Sequence, residues 1–341
     1  MRIAVDAMGG DLGPGVVVQG AVQALAALGA GVELFLVGDR ARIEPGLTMR
    51  QAVHVVHAGD VITMEESPAS AVRRKPDSSV GVAIRMLRAR EVDAVVSPGN
   101  TGAVVSAALL GLGRLRNVQR PAIATLFPTA GPDCVLLDVG ATAECKPSHL
   151  LQFAAMGSVF ARIRLGREHP RVGLLNIGEE ASKGNDLAAA AHALLRDSRL
   201  DFVGNVEGRD LLHGKADVVV CDGFTGNVVL KFAESILGFT GGLLRQEIAT
   251  SMRQRLGGWL MRPAFRAMKK RLDYQEFGGA PLLGVDGIVL IAHGKSSARA
   301  IESAVRAAAT LIENHLGEGI ASRLEDLGDP RLEEHWKGNP T

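Results

Sequence analysis

Short runs of Val, Ile, Leu and Ala, apolar on both faces, alternate with longer helical stretches along almost the whole 341-residue chain. This alternation restricts the fold more than any other feature. A strand that is apolar on both faces must be covered on both sides, which favours a mainly parallel, doubly wound α/β sheet. The strand-like runs span 2–8, 32–38, 52–58, 93–99, 122–127, 134–140, 171–178, 201–206, 216–223 and 287–294. Helical patterns fill 14–29, 78–90, 101–115, 148–165, 184–197, 225–250 and 296–315. The runs "AIATLF" and "CVLLDVG" are separated by too few residues for a crossover helix and should pair antiparallel. Residues 1–316 read as one two-lobed α/β unit, and the polar stretch 317–341 as a peripheral helix with a loose tail.

Aromatic residues make up only 4% of the chain, so its core must rest on Ala, Val, Leu and Ile. A net charge of +1 with so few stacking residues gives no support to nucleic-acid binding. The N-terminus "MRIAVDAMGG" opens directly on a strand, without the pattern of a secretory leader, and no apolar run looks long enough for a bilayer. The three cysteines, Cys134, Cys145 and Cys221, form no CxxC pair and read as small core residues in a reducing compartment. A cytoplasmic protein is expected.

In open α/β sheets, ligands bind where strands end and helices begin. Seven such junctions carry Gly with hydroxyl, amide or Lys residues: 6–14, 98–103, 139–147, 177–186, 204–210, 221–227 and 289–298. Helix N-termini attract anions. "HGKSS" and "SKGND" add lysines, and "GNTGA" adds Asn100 and Thr101, a chemistry suited to phosphate or an oxyanion. Each loop alone also reads as an ordinary turn or N-cap; seven on one sheet edge favour a site. There is no P-loop and no GxGxxG fingerprint, no HExxH, and no GxSxG elbow for acyl-enzyme chemistry. His293, before Gly294 and Lys295, is compatible with an anion contact or a structural role.

"DAMGGD", "PGNTGA", "LDVGA", "LLNIGEE", "GNVEGRD", "VVVCDGFTGNVVLK" and "GGAPLLGVDGIVLIAHGKS", in order from residue 6 to 297, resemble the phosphate acyltransferases of bacterial phospholipid synthesis. The resemblance implies transfer of a fatty acyl group from acyl carrier protein to inorganic phosphate, without metal or organic cofactor. It also implies a three-layer α/β/α sandwich of the isocitrate/isopropylmalate dehydrogenase-like kind, a homodimer, and peripheral membrane association. Pro98 and Thr142 depart from the family pattern, which has Ala and Asn there.

For that activity, phosphate needs only to be held against a thioester while the tetrahedral oxyanion is stabilised. Lys183, Lys295 and Ser296, with Asn100, Thr101 and Gly102, are candidates for holding phosphate. Asn227 is the candidate oxyanion donor, with Lys183 and His293 beside it in catalysis and His293 as proton donor to the thiolate. Asp6 and Asp222 orient these groups.

One segment stands apart. Met252–Leu272 holds seven basic residues and no acidic one. With the helix from Thr225, it reads as a hairpin over about 225–272, broken at Gly257-Gly258, with Pro263 opening the returning helix. Trp259 and Leu260 form an apolar tip, flanked by Arg262, Arg266, Lys269 and Lys270. Such an arm suits a dimer contact, an anionic membrane surface, or docking of the acidic carrier protein. Rival functions are a coenzyme A-dependent acetyltransferase, a nicotinamide-dependent decarboxylase (for which the metal-binding Asp cluster is not found), and a non-enzymatic membrane-binding protein.

Overall fold

The apolar runs join into one eleven-stranded sheet in the computed structural model, which describes residues 1–47, 52–272 and 278–327. The first half of the chain supplies β1 (Arg2–Asp6), β2 (Glu33–Gly38), β3 (Val53–His57), β4 (Ala94–Ser97), β5 (Ala122–Phe127) and β6 (Cys134–Leu137). The second half supplies β7 (Arg171–Leu175), β8 (Asp201–Val206), β9 (Val218–Val220), β10 (Ala280–Leu283) and β11 (Ile288–Ile291). Their spatial order is β3-β2-β1-β4-β11-β10-β5-β6-β9-β7-β8.

Helices cover both faces, as strands apolar on both sides require. On one face lie α1 (Pro14–Leu28), α6 (Pro147–Leu165), α7 (Asp186–Arg196), α12 (Ala298–Glu313) and α13 (Leu316–Asp326). The other carries α3 (Pro68–Arg74), α4 (Ser79–Arg88), α5 (Thr101–Gly111), α8 (Gly208–Leu211) and the start of α9 (Gly223–Ala249). The short α2 (Arg40–Ile43) follows β2. Alternation along the strands feeds the two layers: Ile3 and Val5 point into the first core and Ala4 into the second. The helix expected after residue 316 is α13; its Leu316, Ile320 and Leu324 belong to the same core as α6. The expected tail beyond residue 327 lies outside the described residues.

Three antiparallel pairings sit in the middle of the sheet. β10 runs antiparallel to both β11 and β5, and β5 antiparallel to β6. The β5–β6 pair is as the short connection predicts. Strand β10 is absent from the strand-like runs read in the sequence; Gly278 and Gly279 precede it and Pro281 lies within it. Pro281 is accommodated because the ladder to β11 uses Ala280 and Pro281, while the ladder to β5 begins only at Leu282.

These three reversals overturn the expectation of one row of loops. Strands β1, β4 and β11 end at one edge of the sheet, whereas β6, β9, β7 and β8 run the opposite way. The seven polar loops therefore fall into two groups at opposite edges. What the groups share is a face: α5 and the first turns of α9 pack into the same apolar layer.

Two further expectations are corrected in α9 and the helices after it, α10 (Met252–Leu260) and α11 (Arg262–Leu272). Gly257-Gly258 does not break the chain; the break falls at Ser251, whose extended backbone and side chain cap α10 by accepting from Gln254 N–H. Gly258 lies inside α10 against α9, where an added Cβ would sit 2.5 Å from Ile248 Cγ2. Glycine is used there for close packing, at a helix-propensity cost of about 1 kcal/mol. The other correction concerns α9 itself. By length and composition alone, its 27 residues are apolar enough to cross a bilayer, and its apolar stretch is not covered by the rest of the protein.

Candidate active site

Two buried carboxylates organise the two groups of loops. Asp6, 2% exposed at the end of β1, accepts from the N–H groups of Met8 and Gly9 at 3.1 and 3.0 Å. Its other oxygen accepts the Ser97 hydroxyl from β4 at 2.7 Å, and Ser97 Oγ accepts in turn from Gly99 N–H. The loops are pressed together: a Cβ on Gly9 would stand 2.7 Å from the Gly99 nitrogen, and Gly10 adopts φ +87°. The loop after β11 joins them, with Asp11 N–H donating to Gly294 O and Ala292 N–H to Ser97 O.

This first group opens the N-termini of α5 and α12 at one place. Asn100 caps α5 by accepting from Ala103 N–H, and its Nδ2 donates to Met64 O. The side chain proposed to hold phosphate is thus engaged in capping. What the cap leaves toward solvent are the first N–H groups of the helix, those of Thr101 and Gly102, which have no intrahelical partner. His293 Nδ1 accepts from Lys295 N–H at 3.1 Å and its carbonyl accepts from Ser296 N–H at 2.9 Å. That bond assigns the proton of the neutral ring to Nε2. Lys295 is exposed, Ser296 is buried, and among the described residues the Lys295 ammonium makes no ion pair. Asp6, Thr101, Gly102, His293, Lys295 and Ser296 are therefore brought together.

The second carboxylate, Asp138, follows β6 and is fully buried. It accepts four backbone N–H groups: Ile123, Gly140 and Ala141 on Oδ1 at 2.9 to 3.0 Å, and Thr142 on Oδ2 at 2.6 Å. Burial pushes its carboxyl above the usual range, and those donors oppose the shift. The start of α9 is clamped onto this loop. Gly223 N–H donates to Thr142 O, and a Cβ on Gly226 would lie 2.0 Å from Asp138 O. Asp222 caps α9 through the N–H and hydroxyl of Thr225. Half-buried Asn227 then faces Gly140, whose added Cβ would stand 3.8 Å from Asn227 Cγ. Among the described residues its side-chain amide makes no hydrogen bond.

Lys183 is exposed in the loop after β7, at the same edge as Asn227 because β7 and β9 are parallel neighbours. The loop is shaped by Asn176, whose Nδ2 donates to Lys183 O, and by Gly184 at φ +99°. Buried Asn205 donates to Glu180 O and closes it from β8. Among the described residues the Lys183 ammonium has no ion pair. Lys183 and Asn227 are thus placed at the edge opposite Lys295.

Sequence reasoning passed over Asp138 and Thr142 as partners in one network. The signal was present: "LDVGA" repeats the pattern of "VDAMGG", an Asp ending a strand with Gly two or three residues later. The thiols offer no nucleophile. Burial pushes Cys134 up to about 12, burial followed by Asp138 pushes Cys145 up to about 12, and buried Cys221 lies well above its usual value. Among the described residues no cluster of three His, Cys, Asp or Glu is placed to hold a metal.

Beyond its second turn, α9 presents Phe232, Ile236, Phe239 and Leu243 to solvent, and Trp259 and Leu260 on α10 are each 63% exposed. Arg262 and Arg266 are exposed on α11, and Arg271 returns to the body of the protein by donating to the carbonyls of Thr129, Ala130 and Gly131. The side chains of Lys269 and Lys270 lie outside the described ones.

The fold is similar to that of phosphotransacylases of known structure. A branched-chain phosphotransacylase from Enterococcus faecalis superposes with a TM-score of 0.56 at 16% identity, covering 91% of this chain and 99% of that one. The EutD phosphotransacetylase from Staphylococcus aureus gives 0.53 at 15% identity, covering 96% and 94%. In sequence, residues 1–318 match the family model described as "Fatty acid synthesis protein". The phosphate acyltransferase of Heliobacterium modesticaldum is 48% identical over 97% of this chain and 99% of its own length. That of Geobacter sulfurreducens is 46% identical over 95% and 94%. The chain belongs to this fatty acid synthesis family, among its phosphate acyltransferases, and is an acyltransferase.

Proposed function

We propose that the protein transfers a long-chain fatty acyl group from acyl carrier protein to inorganic phosphate, by direct attack of bound phosphate on the thioester. The observation that carries this reading is the unengaged Asn227 amide at the capped start of α9, in a chain whose relatives are phosphate acyltransferases. The N–H groups of Thr101 and Gly102, with Lys295 and Ser296, hold phosphate at the N-termini of α5 and α12. A phosphate oxygen bonds to the thioester carbon, and the carbonyl oxygen becomes an oxyanion received by Asn227 and Lys183. Collapse breaks the C–S bond, releasing the acyl phosphate and a thiolate. The thiolate takes the proton that the attacking hydrogenphosphate loses on becoming the more acidic acyl phosphate, with His293 Nε2–H donating a hydrogen bond to the departing sulfur. Asp6 and Asp222 act on loops and helix ends rather than on substrate. The two edges cooperate across the face shared by α5 and α9, so residues 1–316 act as one unit.

The same reading puts the fold in the isocitrate and isopropylmalate dehydrogenase-like class, makes α9 to α11 a protruding helical hairpin, and makes the protein a cytoplasmic homodimer that binds membranes peripherally. Trp259 and Leu260 with Arg262 and Arg266 suit an anionic lipid surface. The same basic flank, extended by Lys269 and Lys270 in the sequence, suits an acidic carrier protein.

The test is to mix purified protein with a long-chain acyl carrier protein thioester and phosphate, with acetyl-coenzyme A in a parallel reaction. Phosphate-dependent formation of long-chain acyl phosphate is expected. Thiol release without phosphate would make it a thioesterase, and turnover of acetyl-coenzyme A alone would make it a short-chain acetyltransferase.

A further inference from the structure

Two of the cavities formed by the described residues differ in how their arginines are held. The larger, about 500 Å³, lies between β3 and α4, and its Arg85 is tied to Asp77 and to the Pro76 carbonyl. The smaller, about 260 Å³, is lined by Leu109 of α5, Arg120, Pro121 and residues 141–144. Its Arg120 makes no hydrogen bond or ion pair among the described residues. We infer that Arg120 is a further substrate-binding residue, holding a phosphoryl oxyanion in the cavity between α5 and the 141–144 loop.

The position is built. Thr142 Oγ1 donates to Pro121 O at 3.0 Å, Gln119 N–H donates to Gln152 Oε1, and Ser148 Oγ donates to Gln119 Oε1. The backbone around Arg120 is therefore fixed by its neighbours, and the guanidinium itself is left without work in the fold. The cavity is bounded by α5, which starts at the Thr101 loop, and by the loop that Asp138 holds against the start of α9. It thus lies at the far end of α5 from the Thr101 loop, beside the second group of loops. Arg120 is also near enough to Cys145 to oppose the upward push of burial on that thiol. At this volume the cavity falls below the roughly 300–1,000 Å³ of a drug-sized ligand. It suits one charged group rather than an acyl chain, and guanidinium is the side chain best matched to phosphoryl oxygens.

The inference rests on the acyl transfer proposed above, which brings two phosphoryl groups to the enzyme: inorganic phosphate and the phosphodiester of the carrier's thiol-bearing arm. Steady-state kinetics of the full chain, with each substrate varied in turn, separates them. Arg120→Gln is expected to raise one KM by about tenfold or more. Arg120→Lys should recover part of that loss, and Glu144→Gln, which removes a competing carboxylate from the cavity, should lower the same KM. A rise confined to inorganic phosphate assigns the attacking group to Arg120, and a rise confined to the thioester assigns the arm. If Arg120→Gln and Arg120→Lys both leave both KM values unchanged, whatever happens to kcat, the assignment is overturned. If the wild-type protein makes no acyl phosphate, it is the reaction that has failed instead.

Discussion

Asp6 and Asp138 are the same device used in the two halves of the sheet, and they leave different chemistry behind. Each is a buried carboxylate at the end of a strand, accepting N–H groups from the loop that follows. Asp6 also reaches sideways to Ser97, tying two neighbouring loops into a cradle that ends in two helix N-termini and an exposed lysine. Asp138 spends all its bonds on backbone and presses the start of α9 so closely that only glycine fits at 223 and 226. The product there is a single amide, Asn227, which lies beside Gly140 and makes no hydrogen bond among the described residues. A fixed positive potential suits a ground-state anion such as phosphate. A neutral, preplaced donor suits a charge that appears only during reaction. The difference matches the binding role proposed for the first group of loops and the transition-state role proposed for the second.

Five variants bear on it, taken from the largest effect down. Asp138→Ala should be the most damaging, because it strands four buried N–H groups; a loss of about 4 kcal/mol or more is expected in denaturant unfolding. The same change at Asp6 strands two N–H groups and a hydroxyl and should cost less. If Asp6→Ala proved the worse, the two carboxylates would not be equivalent devices. Asn227→Ala should lower kcat by roughly 100-fold or more with unaltered melting, since the amide supports nothing in the fold. Lys295→Ala should instead raise KM for phosphate by about tenfold with a smaller change in kcat; the opposite pattern would exchange the roles of the two loop groups. Trp259→Ala/Leu260→Ser should leave both activity on soluble substrate and stability within about 0.5 kcal/mol, while weakening cosedimentation with anionic vesicles. Full cosedimentation would take the apolar tip out of membrane contact.

The fold was legible wherever one strand's apolar run was enough to define it. β1, β4 and β11 carry Val, Ile and Ala on both faces and could be placed from sequence. β10 could not, because Gly278, Gly279 and Pro281 mimic a loop and its pairing is divided between two neighbours. The antiparallel β5–β6 connection was readable, and it alone implies that the sheet changes direction, so a single row of loops was the weaker inference. In the site, Asn227, Lys183 and Lys295 stood out because they follow strands. Arg120 did not, because it precedes β5, on the side of a strand where ligands are not sought. Asn100 looked like a phosphate donor because capping and ligand binding use the same residue types at the same place.

The claim most exposed to disproof is that loops at opposite edges of the sheet serve one reaction. A double-mutant cycle on acyl phosphate formation, comparing Asn227→Ala, Lys295→Ala and the double variant in kcat/KM, tests it directly. A shared substrate predicts a coupling of about 0.5–3 kcal/mol between the two positions. Additive losses, agreeing within about 0.3–0.5 kcal/mol, would mean that the two groups never act on the same bound molecule.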